Sequence, residues 1–163
     1  MATSSIETNS TSGEERYTLD TNILIYAVDR SAGSKHQVAI DIVDRSTERP
    51  CILTVQALAE FVFAVTRKAL VPRHEAVAQA RDWLRAFPIV AADANALDMA
   101  FAAIEMGRFG LLDALLLATA RQAGCSIALS EDMHDGAALD GIVVRNPFAG
   151  QALVNDLRPL LGL

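Results

Sequence analysis

The chain has no apolar run long enough to cross a bilayer. The longest, Phe109 to Ala120, is short and carries Asp113, which excludes a spanning helix. The first sixteen residues contain no apolar stretch of the kind a secretory leader needs, so the expected location is the cytoplasm. Cysteine is scarce, with only Cys51 and Cys125. Each opens an apolar, strand-like segment, and no His or Cys stands at zinc-ligand spacing around either. Both therefore read as buried thiols of a cytosolic protein, not as a disulfide or a metal pair. Positive charge is also short. Fourteen Lys and Arg face twenty Asp and Glu, for a net charge of −6. A simple electrostatic grip on nucleic acid would have the opposite sign. An anionic substrate would have to be met by a local basic patch or by bound cations. There is no internal repeat, linker or sign of a second domain.

What is present is a globular body. The 163 residues are 52% hydrophobic, enough for one domain with a real core. Residues 1–16 are rich in Ser, Thr and Glu without periodicity and read as a disordered tail. The domain proper is expected over residues 17–148, with 149–163 as a C-terminal extension. Strands are expected at Tyr17 to Leu19, Cys51 to Val55, Pro88 to Ala91, Cys125 to Leu129 and Ile142 to Arg145. Helices are expected over Thr21 to Val28, Ser34 (as N-cap) to Thr47, Gln56 to Lys68, His74 to Ala86, Asp93 (as N-cap) to Glu105 and Leu112 to Gln122. Gly124 is the stop for the last of these. Ser130 to Gly141 reads as a loop with a short helix, and Gln151 to Leu161 as a weak terminal helix. Strands that are apolar throughout and separated by helices indicate a parallel sheet covered on both faces. Ligands of such sheets gather outside the carboxyl ends of the strands.

Several acids stand in apolar surroundings. Asp20 interrupts the run Leu19-Asp20-Thr21-Asn22-Ile23-Leu24-Ile25-Tyr26-Ala27. An unpaired carboxylate there would cost several kcal/mol, on the order of the penalty for burying a polar group, so it is either a helix cap or part of a charged site at the core's edge. Glu60 lies on a helix with almost no polar face, aligned with Gln56, Ala64 and Arg67. It is either a thin solvent stripe or a site residue. Asp113 is surrounded by leucines in the first turn of a helix, where the dipole favours an acid. Ser130-Glu131-Asp132 ends a strand, as many turns do. Taken together, the topology brings these acids to one rim. Asp20 and Ser130 to Asp132 follow strands, Asp113 begins a helix that returns to a strand, and Glu60 is early in a helix that leaves one. Four carboxylates in one cleft repel unless divalent cations are present. Oxygen-only ligands favour Mg²⁺ or Mn²⁺ over zinc.

The segments Asp20-Thr21-Asn22-Ile23-Leu24-Ile25-Tyr26-Ala27, Ala59-Glu60-Phe61, Leu112-Asp113-Ala114-Leu115 with Ala118-Thr119-Ala120, Leu129-Ser130-Glu131-Asp132 and Val143-Val144-Arg145-Asn146-Pro147-Phe148 occur in the order found in PIN-domain proteins. Within that family they resemble the VapC-like toxin ribonucleases of bacterial toxin–antitoxin pairs. The resemblance spans roughly Tyr17 to Phe148. It implies an α/β/α sandwich around a parallel sheet of about five strands, and Mg²⁺- or Mn²⁺-dependent hydrolysis of RNA phosphodiesters. By position, Asp20, Glu60, Asp113 and Asp132 resemble the family's catalytic, metal-binding acids, and Asn22 and Ser130 its supporting polar residues. Glu131 and Asp135 stand close enough in sequence to share or replace the role of Asp132. Leu111 and Leu112 stand where many members carry a Ser and an aromatic, which bears on the hydrogen-bond support of Asp113 and not on its identity. The resemblance further implies a small antitoxin partner and a homodimer. Arg67, Lys68, Arg73 and Arg108 are candidate RNA contacts, while His36 and His74 read as structural or exposed. The competing readings are a non-catalytic PIN-fold binding or scaffold module and a Mg²⁺-binding phosphatase or receiver-like domain. The phosphatase would need an acid where Asn22 stands, and the receiver a pair of adjacent acids after the first strand.

Overall fold

A computed structural model describes residues 13–149 and 152–163. Most of the expected N-terminal tail lies outside the described residues. At its end, Arg16 donates to the Ala123 carbonyl at 2.8 Å and accepts from the Ser126 N–H.

Three wholly buried residues, Tyr17–Leu19, form strand β1 at the heart of the sheet. Leu19 and Tyr17 have no exposed surface, and the Tyr17 hydroxyl is hydrogen-bonded to Ser46 Oγ at 2.8 Å. Helix α1 (Thr21–Val28) follows, capped by Asp20. Helix α2 (Ser34–Ser46) buries Ala39, Ile42 and Val43, the face its spacing predicts. Ser34 is not its N-cap. Gly33 holds that position at φ +63, because the preceding 3₁₀ turn, Arg30–Ala32, has to be followed by a residue in the left-handed region, which glycine enters without strain.

Strand β2 (Cys51–Thr54) is buried along its whole length and leads directly into α3 (Val55–Arg67), whose first turn is capped by Thr54 Oγ1 accepting from the Ala57 N–H at 3.0 Å. Val71 and Pro72 separate α3 from α4 (Arg73–Ala86), and Phe61 and Trp83 join the two helices in an edge-to-face pair. Strand β3 (Ile89–Val90) is short. Asp93 then caps α5 (Ala94–Glu105) as expected, through the Ala96 N–H at 2.8 Å. Helix α6 (Leu111–Gln122) precedes β4 (Ile127–Leu129), with Gly124 at φ +87 ending it.

The sheet order is β3-β2-β1-β4, followed by β6 (Ile142–Arg145) and β5 (Ala138–Leu139). Five strands run parallel, and β5 lies antiparallel on the edge. Leu19 stands opposite Leu129, and Thr18 opposite Ile52 and Ala128. Helices cover both faces, α1 to α4 packing among themselves and α5 along α6, so the architecture is a three-layer α/β/α sandwich. Cys51 and Cys125 are buried free thiols.

Two expectations fail locally. The loop from Ser130 to Gly141 has no helix and ends instead in β5, hairpinned onto β6 through Asp140 (φ +47) and Gly141 (φ +88). An Asp-Gly pair suits such a turn because both residues must take positive φ. The terminal helix is also absent. Residues Ala152–Leu153 pair as β8 with β7 (Phe148–Ala149), and 3₁₀ turns follow at Asn155–Leu157 and Pro159–Leu161. Pro159 has no N–H to continue a helix, and the turns bury Leu157 and Leu161 against the core. Among the described residues no helix is long and apolar enough to cross a membrane.

A candidate acidic active site

The carboxyl end of β1 delivers Asp20 beside the carboxyl end of β4. Its N–H is bonded to the Leu129 carbonyl at 2.9 Å. The side chain is 7% exposed and fully committed. Asp20 Oδ1 accepts from the Thr21 N–H at 2.7 Å, while Oδ2 accepts from Asn22 Nδ2 at 2.9 Å and from Ser130 Oγ at 2.7 Å. Asn22 Nδ2 also donates to Ser130 Oγ at 3.2 Å, and Asn22 Oδ1 accepts from the Glu131 N–H at 3.3 Å. Asp20 is therefore a helix cap that also bonds across the sheet edge to Ser130. A closed triangle of carboxylate, amide and hydroxyl locks it to the loop after β4.

Burial raises the pKa of Asp20 to about 6. The hydrogen bonds from Ser130 and Thr21 hold it down, and the negative charges of Asp113 and Asp132 push it further up. Asp113, in the first turn of α6, is also raised, first by burial and then by the charges of Asp132 and Glu60. Each of the four acids thus acts on at least one of the others. They come from β1, α3, α6 and the loop after β4. Glu60 is braced by Gln56 Nε2, which donates to Oε1 at 2.6 Å, and Thr21 Oγ1 lies 3.5 Å from Oε2. Asp113 has no hydrogen-bond donor among the described residues, as expected from the leucines preceding it. Asp132 is exposed, and Asp20 is the most buried of the set.

The neighbouring acids have other partners. Glu131 pairs with Lys35 of α2, and the Lys35 ammonium lies 5.5 Å from the centre of the Tyr26 ring and 5.9 Å from that of Phe148. Asp135 accepts from the Asn146 N–H at 2.8 Å and pairs with Arg145 Nε at 3.5 Å. Lys35 and Tyr26, which surround Glu131, carry no signal of that contact in the sequence. Tyr26 lies within the Asp20 segment, and its hydroxyl is pushed up to about 12 by burial and by Glu131 beside it. Lys35 is one charged residue on a polar helix and carries no local signal.

Of the candidate cations, Arg67 and Lys68 stand at the far end of α3 and Arg73 at the start of α4. Arg108 donates to the Ala138 carbonyl. His36 is bonded to the Tyr26 carbonyl at 2.8 Å, a structural role, and His74 is exposed. A cavity of about 840 Å³ opens between the end of α1, α2 and the α3–α4 connection, but none of the four acids lines it. The acids form an open rim.

All the donors at this rim are hard carboxylate, hydroxyl and amide oxygens, a set suited to Mg²⁺ or Mn²⁺. Their mutual repulsion is what a cation would relieve. Among the described residues no three His, Cys, Asp or Glu side chains are arranged to hold an ion directly. Mg²⁺ generally keeps several waters and takes one or two carboxylates.

Fold and rim together define an α/β/α domain with acidic residues at the carboxyl edge of a mostly parallel sheet. The PIN domain family model matches residues 17–134, and the chain belongs to the PIN domain family. Among solved structures, VapC20 of Mycobacterium tuberculosis, a toxin that cleaves the sarcin–ricin loop, is similar at 18% identity and a TM-score of 0.57, over 74% of this chain and 90% of that one. VapBC2 of Rickettsia felis, bound to a DNA fragment from its promoter, is similar at 15% identity and a TM-score of 0.58, over 80% and 97%. PAE2754 of Pyrobaculum aerophilum follows at 18% and 0.52, over 80% and 90%. At these identities the likeness is one of fold. No curated protein matches the chain.

Proposed function

We propose that the protein is a metal-dependent endoribonuclease of VapC type, the toxin of a type II toxin–antitoxin pair, acting in the cytoplasm. The observation that carries this reading is the electrostatic coupling of Asp20, Glu60, Asp113 and Asp132, drawn from four chain segments to one rim of a PIN fold. Bound Mg²⁺ or Mn²⁺ would supply charge neutralisation at a phosphoryl group and an activated water. The chain's own residues do the rest. Asn22 and Ser130 orient the Asp20 carboxylate, and Gln56 orients Glu60. Asp113 faces the site with lone pairs free of protein donors. Asp132, exposed on its loop, has open access to solvent and to a proton. Two free buried thiols suit a reducing compartment.

The partners follow from the same reading. The VapBC2 name of the Rickettsia structure supports a small antitoxin that covers the acidic rim. A homodimer is supported by uncharged apolar surface. Val55, Phe63, Leu111 and Leu112 on α3 and α6, and Leu97, Phe101 and Ile104 on α5, are exposed. Two copies that each carry a net charge of −6 repel least where they meet through such a face.

The test is cleavage of defined RNAs by the purified protein with Mg²⁺, with Mn²⁺ and with chelator. Cleavage should need the ion and should vanish in Asp20→Asn and Asp113→Asn, both folded. Full activity in either variant, or in chelator, sinks the assignment. Binding of RNA without cleavage under either ion would favour a PIN-fold binding module.

A further inference from the structure

Gln56 and Glu60 lie one turn apart on the same face of α3, where side chains four residues apart meet. The Gln56 amide nitrogen carries two hydrogens, and both are used. One goes to Glu60 Oε1 at 2.6 Å and the other to the main-chain carbonyl of Leu112 at 2.8 Å. Leu112 immediately precedes Asp113 in the first turn of α6. This one side chain therefore spans from the second acid to the backbone that carries the third. No other described hydrogen bond joins the two.

The amide orientation is determined by its partners. Turned over, its oxygen would face a carboxylate and a carbonyl. As it stands, Gln56 Oε1 is buried without a hydrogen-bond partner among the described residues. An unpaired buried acceptor is unfavourable, and an apolar side chain of the same length would avoid it. What the amide offers in exchange is its two donated bonds. Both go to groups that set where Glu60 and Asp113 lie, and neither goes to the core.

We infer that Gln56 is a positioning residue whose amide ties Glu60 to the start of α6 and so sets the spacing of Glu60 and Asp113 at the cation site. The inference rests on the metal-dependent reading above and deepens it. Outer partners that orient metal-binding carboxylates typically change metal affinity by about 10- to 100-fold when removed.

The test is Mn²⁺ binding to the full chain, followed by titration calorimetry. Gln56→Met keeps the length of the side chain and removes both donors, and should weaken Mn²⁺ binding by about tenfold. Gln56→Asn keeps an amide too short to reach both acceptors. It should give the same loss and serves if the Met variant fails to fold. In a Glu60→Ala background, Gln56→Met should cause no further weakening, because no Glu60–Asp113 spacing is left to set. A merely structural role would weaken both backgrounds equally. Wild-type affinity in a folded Gln56 variant, or equal losses in both backgrounds, overturns the inference. A wild-type chain that binds no Mn²⁺ overturns the metal-dependent reading and this inference with it. If the wild type binds Mn²⁺, Asp113→Asn loses it and Gln56→Met retains it in full, only the role of Gln56 falls.

Discussion

Burial and hydrogen bonding pull Asp20 in opposite directions, and burial wins. A carboxyl that titrates at about 6 in the folded chain, against an ordinary 3.8, binds its proton more tightly folded than unfolded. Its ionisation therefore opposes folding, by about 3 kcal/mol when complete. That cost is absent below about pH 3.8, grows up to about pH 6 and is full above it. Without metal, Asp20→Asn should stabilise the chain on the order of 1 kcal/mol at pH 8 and not at all at pH 4, as read by urea unfolding in chelator. An Asn variant no more stable than wild type at pH 8 would mean that the carboxylate is better solvated than its burial indicates. Ser130→Ala acts in the other direction. It removes a 2.7 Å donor, should cost about 1–3 kcal/mol, and should raise the Asp20 pKa further, which carboxyl-carbon NMR titration would detect.

At the scale of elements, strand and helix placement was largely legible. Apolar runs such as Cys51 to Thr54 mark buried strands, and Asp93 and Thr54 cap their helices in the ordinary way. The failures have local causes. The Asp140-Gly141 pair signals a hairpin, and β5 could have been read from it. The C-terminal segment gives no such signal. It takes its form from burying Leu157 and Leu161 against the core, while Pro159 breaks helical continuity. Leu161, at 1% exposure, is a core residue although it lies two residues from the end of the sequence. Leu161→Ala should cost about 2–5 kcal/mol in denaturant unfolding. A loss near zero would show that the terminal turns are dispensable to the core.

At the scale of the whole molecule, charge and apolar surface divide the labour. The acids gather at the carboxyl rim, while uncharged side chains face outward from α3, α5 and the start of α6. Phe63, 64% exposed, is the largest of those on α3. Phe63→Glu places like charges at the centre of the proposed contact, a several-kcal/mol obstacle in a desolvated interface, on the order of like-charge juxtaposition elsewhere. If the proposed dimer forms through this face, light scattering should report a lower mass for the variant than for the wild type at the same concentration. An unchanged mass would move the interface elsewhere.

The sequence by itself determined the five parallel strands and the helices between them, because each rests on local periodicity, caps and turn residues, and from their directions it proposed a carboxyl rim with four acids. It put Asp132 first, with Glu131 and Asp135 close enough to share or replace its role. Tertiary structure pairs Glu131 with Lys35 and Asp135 with Arg145, while the charge of Asp132 is among those that raise Asp20 and Asp113. It also decided the triangle around Asp20, whose Ser130 partner stands 110 residues away, and the Gln56 span from α3 to α6. Such pairings depend on which surfaces packing brings within 3 Å or so of each other, a hydrogen bond's reach. No residue's own neighbours in the chain encode that distance.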